Sequence, residues 1–187
     1  MKTKTEWEYI VAGCQKNQPL AQKMLYDSLA PMMLGVCMRY THSRDEAQDL
    51  LHDGFIKAFE RIGNLRDANA VESWLYRIMV NVSINYVTRN CQLRYTDPSV
   101  LEAQNSGEEL DGDELWADDK RFAMDQIVQA IQDLPEQYRL VFNMRQVEEM
   151  EYSEIAKQLG QQESSVRSSV CRARQMLRKK LLNLKSK

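Results

Sequence analysis

The sequence predicts an all-α protein of two small helical domains, an N-terminal helical bundle and a C-terminal four-helix domain with a helix-turn-helix, joined by an acidic flexible linker. Three observations carry this. Apolar residues recur three and four positions apart over most of the chain, and no run alternates as a half-buried strand does. The periodicity lapses in the segment that includes 97–119, where nine acidic residues stand with no basic one. Beyond it, Tyr152 to Lys180 reads as two short helices on either side of Gly160. The expected domains are 1–93 and 120–187, with the linker at 94–119.

The overall charge of −2 conceals a strong polarity along the chain. Residues 1–96 are net +2, residues 97–119 net −9 and residues 120–187 net +5. Cys14, Cys37, Cys91 and Cys171 are far apart and form no CxxC pair, so no structural zinc and no other cofactor is expected. Free thiols suit a reducing, cytoplasmic setting. The longest apolar run, Leu29 to Met38, contains Pro31 and is too short to cross a bilayer, so no membrane insertion is expected.

Taken in order, Trp7, Ile10 and Val11 mark a first helix, and Ala21, Met24, Leu25 and Leu29 a second that opens at Pro19. From Pro31 to Tyr40 the chain continues as a buried, Met-rich helix. Ser43 followed by Glu46 predicts a capping box for the next helix. In that helix Ala47, Leu50, Leu51, Phe55, Ala58 and Phe59 face inward, while Asp45, Asp49, His52 and Asp53 form an acidic outer edge. Such an edge suits a basic partner helix. Gly63 to Ala70 is a polar loop. The helix after it has Trp74, Leu75, Ile78 and Val82 on a core side and Arg77, Asn81, Asn85 and Arg89 on a polar side. Arginines and amides beside aromatics suit single-stranded nucleic acid.

After the acidic segment, Phe122, Ile127, Val128, Ile131 and Leu134 predict an amphipathic helix, and Pro135 starts another with Tyr138, Val141, Phe142 and Met144. In the hairpin, Ile155, Ala156 and Leu159 face Val166 and Val170. Gly160 supplies the positive φ that ends the first helix. From Ser164 onward eight basic residues stand with no acid, which predicts contact with phosphate.

Four strings, DLLHDGFIKAF at 49–59, SWLYRIMVN at 73–81, LPEQYRLVF at 134–142 and YSEIAKQLG with SSVRSSVCRAR at 152–174, carry a family resemblance. In this order the chain resembles sigma factors of the sigma-70 family, in the small extracytoplasmic-function group, over roughly residues 20–92 and 120–184. The resemblance implies a non-catalytic initiation subunit that binds RNA polymerase core and directs it to promoter DNA. It implies docking of Asp49, His52 and Asp53 on the clamp helices of the largest polymerase subunit, and contact with the flap of the second-largest. Asn64, Arg66, Arg77, Asn81 and Asn85 then capture unpaired minus-ten bases. Ser165, Arg167, Ser168, Cys171 and Arg172 face the major groove at minus thirty-five, where arginine bonds guanine and serine grips phosphate. An anti-sigma factor is the further partner implied.

Several positions depart from the family pattern. His52 stands in place of a common Gln, Val80 in place of a frequent Arg with loss of a phosphate contact, and Glu149 in place of Gly, which predicts an altered turn. Gln162 replaces a common Ser at the start of the second hairpin helix, so Ser164 is expected to take over the cap. A stand-alone helix-turn-helix regulator is the alternative, but it leaves the acidic helix and the Arg/Asn helix idle. A metal enzyme built on His42, Asp49, His52 and Asp53 lacks further histidines, because the chain has only two.

Overall fold

The computed structural model describes residues 2–94 and 124–185, which contain eight α-helices and no strand. Backbone contacts gather into two compact units, Met1–Tyr86 and Val87–Lys187. The expected linker, beyond its first residue Arg94, lies outside the described residues.

In the first unit, α1 (Lys4–Gln15) begins with a reciprocal cap: Glu6 N–H donates to Thr3 Oγ1 (3.4 Å) and Thr3 N–H to the Glu6 carboxylate (2.6 Å). Asn17, at φ 54°, turns the chain into α2 (Pro19–Met38). Short polar side chains like that of Asn tolerate this left-handed region better than most. Pro19 opens α2 and Pro31 lies inside it, so the two apolar runs read from the sequence form one continuous helix.

Helix α3 (Arg44–Arg61) is capped by Ser43, whose Oγ accepts from Glu46 N–H at 3.1 Å. The Glu46 carboxylate takes the amide of His42 (3.1 Å). The donor it satisfies is therefore one residue earlier than a capping box prescribes. Two 3-10 turns, Ile62–Asn64 and Ala68–Ala70, occupy the expected polar loop, and Leu65 between them is buried. Helix α4 (Val71–Arg94) follows.

Trp7, Ile10, Leu25, Leu29, Met33, Leu50, Phe55, Leu75 and Met79 form much of the buried interior of this unit. Each fully buried aliphatic or aromatic side chain contributes about 1.5–3 kcal/mol relative to exposure. At Gly54 a Cβ would collide with the side chain of Met79, which is itself fully buried. The missing side chain lets α3 and α4 approach closely. At the other edge of α4, Tyr76 Oη accepts from the Arg39 guanidinium at 2.9 Å, and Arg39 lies over the Tyr76 ring.

The second unit contains α5 (Met124–Gln132), α6 (Glu136–Phe142), α7 (Tyr152–Leu159) and α8 (Glu163–Lys185). Ala130, Leu134, Phe142, Ala173, Leu177 and Leu181 form its core, with Ile127, Ile131 and Tyr138 packed against them. Val128, expected to face inward, is 45% exposed. Arg139 is buried, and its guanidinium donates to the Gln132 carbonyl at 2.9 Å, a bond that offsets part of the cost of burying a charge.

Helix α6 widens into a π-turn over Asn143–Val147. Glu149 then takes φ 55°, the backbone shape that glycine adopts without strain. The conformation is glycine-like, and glutamate carries the steric cost. Glu154 caps α7 by accepting from Glu151 N–H at 3.1 Å.

Candidate nucleic-acid interface

The hairpin forms as expected. Gly160 closes α7 at φ 64°, and the amide of Gln161 bonds back to the Ala156 carbonyl at 2.9 Å. Helices α7 and α8 pack together, with Ile155 and Ala156 of the first and Val166 and Val170 of the second all buried. Helix α8 begins at Glu163, so Ser164 lies inside the first turn and does not take over the cap. Gln162 occupies the cap position, and its carbonyl accepts from Val166 N–H at 3.2 Å.

Burial of one side of α8 turns Ser165, Arg167 and Ser168 to solvent, and leaves Cys171 and Arg172 partly exposed. Arg167 is held rather than loose. Its guanidinium pairs with Glu163 one turn earlier (2.6 Å) and lies 4.4 Å from the centroid of the Tyr152 ring. The same ring carries Arg145 at 4.8 Å, and Arg145 also donates to the Met150 carbonyl (3.2 Å). Cationic side chains over a tyrosine face are attracted by its quadrupole. Neither Tyr152 nor Glu163 was singled out from sequence. An aromatic opening α7 and an acid four residues before Arg167 were the available signals.

In the N-terminal unit, Asp49, His52 and Asp53 all lie exposed on α3. The His52 ring stacks on Tyr26 of α2, centroids 6.3 Å apart and planes within 11°, with Tyr26 Oη 3.4 Å from His52 Nε2. Tyr26 also packs on Phe55, so the edge rests on the buried stripe beneath it. Asn64 ends the first 3-10 turn and Arg66 follows buried Leu65; both are exposed. Arg77, Asn81, Asn85 and Arg89 recur every four residues along one exposed strip of α4. Three expectations for α4 are corrected. Trp74 and Ile78 are only partly buried, because Leu75 and Met79 fill the interior between them. Val80 is buried, so its side chain belongs to the core rather than to a depleted phosphate-binding face.

Among the described residues, no group of three or more His, Cys, Asp or Glu side chains comes together as a metal site, and no helix is long and apolar enough to cross a membrane.

A helical unit with an exposed Arg/Asn strip, and a second carrying a helix-turn-helix whose last helix has no acidic residue beyond Glu163, define a DNA-binding protein of the transcription machinery. The Sigma-70 region 2 model matches residues 25–91, and the Sigma-70, region 4 model matches residues 124–177. The chain is 31% identical to the RNA polymerase sigma-H factor of Pseudomonas aeruginosa, over 97% of this chain and 96% of that protein. It is 30% identical to the ECF RNA polymerase sigma-E factor of Escherichia coli, over 93% of each. A solved structure, the sigma factor RpoE in complex with the anti-sigma factor NepR from Bartonella quintana, aligns over 85% of this chain and 95% of that one, with a TM-score of 0.47 and 19% identity. The chain belongs to the sigma-70 family of RNA polymerase sigma factors, in its ECF group. It is a promoter-recognition factor that binds polymerase core, and the stand-alone regulator reading falls because region 2 accounts for the N-terminal unit.

Proposed function

We propose that the chain divides its work among three surfaces, on functional domains at 1–93 and 120–187 joined through 94–119. The acidic edge of α3, with Asp49, His52 and Asp53, docks on the clamp helices of the largest polymerase subunit. Asn64 and Arg66, with Arg77, Asn81 and Asn85 of α4, take up unpaired bases of the minus-ten element as the duplex opens. Ser165, Arg167, Ser168, Cys171 and Arg172 of α8 enter the major groove at minus thirty-five, while the C-terminal domain meets the flap of the second-largest subunit.

The observation that carries this reading is the four-residue recurrence of Arg77, Asn81, Asn85 and Arg89 along one exposed strip of α4. The twelve helical steps from Arg77 to Arg89 rise about 18 Å, room for several consecutive nucleotides. The chain itself is not an enzyme in this scheme: it selects the start site and the polymerase supplies the chemistry. It acts in the cytoplasm, and membership of the ECF group makes an anti-sigma factor its expected inhibitor.

Run-off transcription with purified core polymerase on genomic templates, followed by start-site mapping, tests the proposal. Specific starts that depend on this chain are expected, and Ala at Asn81 or Asn85 should lower them more on duplex templates than on templates opened beforehand. Equal losses on both would remove α4 from strand capture.

A further inference from the structure

Helix α1 precedes the part of the chain that matches the region 2 model, yet its last residue reaches the turn that carries Asn64. The Gln15 side-chain amide donates to two backbone carbonyls, Ile62 O at 3.2 Å and Leu65 O at 3.0 Å. These carbonyls bracket Asn64. Ile62 O also accepts from Leu65 N–H at 3.1 Å, so one carboxamide ties both ends of a closed turn to α1. Leu65 points into the protein, and its neighbours Asn64 and Arg66 are both exposed. Helix α1 also packs against the second turn, Ala68–Ala70, where Asp67 accepts from the Asn69 backbone amide at 3.0 Å. The whole segment between α3 and α4 is thereby backed by α1.

We infer that Gln15 is a positioning residue for minus-ten strand capture: its carboxamide clamps the Ile62–Leu65 turn in the shape that presents Asn64 and Arg66 to an unpaired base. The inference rests on the assignment of those two residues to the minus-ten strand. A turn held by a single side chain from another helix is preorganised, and the ordering cost of binding is met in the fold rather than on the DNA. Gln15 itself is exposed at the helix end, so its removal takes little from the core.

The test uses holoenzyme assembled from core polymerase and the full chain carrying Gln15→Ala or Gln15→Met; the second keeps the side-chain length and loses the donor. The probe is a fluorescent single-stranded oligonucleotide with the non-template minus-ten sequence of a promoter located by start-site mapping. Loss of two hydrogen bonds is expected to weaken strand binding by roughly five- to tenfold. Core affinity and binding of a minus-thirty-five duplex should stay at wild-type values, and the melting temperature should fall by no more than a few degrees. Unchanged strand binding in both variants, while Asn64→Ala or Arg66→Ala weakens it, overturns the role of Gln15 and leaves the minus-ten assignment standing. If Asn64→Ala and Arg66→Ala also bind the strand normally, that assignment falls and the clamp with it. A parallel loss of core affinity, strand binding and melting temperature would make Gln15 a general stabiliser and likewise overturn the inference.

Discussion

Arg167 on the second helix of the hairpin lies over the ring of Tyr152, which opens the first, at 4.4 Å from its centroid. This contact couples the two helices through the side chain proposed to read the groove. Each exposed cation–π contact is worth about 0.5–1 kcal/mol. Tyr152→Leu is therefore expected to weaken holoenzyme binding to a minus-thirty-five duplex by roughly fivefold, and Tyr152→Phe, which keeps the ring, to leave it nearly intact. Fluorescence anisotropy on cognate and scrambled duplexes provides the measurement. Equal behaviour of the two variants would mean that the stack does not organise Arg167.

Glu163 holds the same guanidinium from the other direction, at 2.6 Å and with both side chains substantially exposed. Exposed pairs contribute at most about 1 kcal/mol to folding, so Glu163→Gln should barely change stability. It removes a negative charge beside the phosphates and frees Arg167, so duplex affinity should rise by about two- to fivefold, most clearly at low salt. A fall in affinity across a salt titration would instead make Glu163 an orienting group.

On α3, Asp53→Arg places a positive charge on the edge proposed to meet a basic partner. Core affinity should drop at least about tenfold while circular dichroism stays unchanged, since the side chain is exposed. A pull-down with purified core showing wild-type retention would move the interface elsewhere.

Glu149 takes a left-handed backbone at φ 55°, a conformation strained for a residue with a Cβ. Left-handed backbone costs a residue with a Cβ about 1–2 kcal/mol, and glycine gives part of that back through the entropy of the unfolded chain. Glu149→Gly should thus raise stability by about 0.5–1 kcal/mol, read as a higher denaturation midpoint with an unchanged slope. A lower midpoint would show that the glutamate side chain more than offsets the strain.

Burial pushes the thiols of Cys14 and Cys37 up to about 11, so both are protonated at neutral pH and shielded from reagents. Brief alkylation of the native protein at about pH 8, mapped by mass spectrometry, should modify partly exposed Cys171 and spare these two. Early labelling of Cys14 or Cys37 would show that the N-terminal unit opens locally.

Much of this architecture is legible in residue order because it depends on local rules. The periodic stripes mark the helices, and Gly160 marks the end of α7 because few other residues take that φ at no cost. The exposure of Asp49, Asp53, Arg77 and Asn81 follows from helical spacing alone. What eluded the sequence depends on contacts between distant segments. The reach of Gln15 to Ile62 and Leu65 spans about fifty residues and leaves no periodic trace. The family pattern marks Val80 as the site of a frequent Arg, and neither that pattern nor helical spacing says how wide the buried stripe is where Met79 meets Gly54. The exchange of Gly for Glu149 marked this turn, but that the backbone there takes a left-handed φ is a property residue identity alone does not give.

The bare position at Gly54 joins two of the chain's three proposed tasks. It adjoins Asp53, on the edge meant for the polymerase, and it seats Met79, between Arg77 and Asn81 on the strip meant for the opened strand. Through that contact, the proposed polymerase edge and the proposed strand-binding strip are mounted on one another. A side chain at 54 would have to displace the buried end of Met79, so the proposed seating of the strand-binding strip would shift while every residue assigned to polymerase or DNA stayed in place.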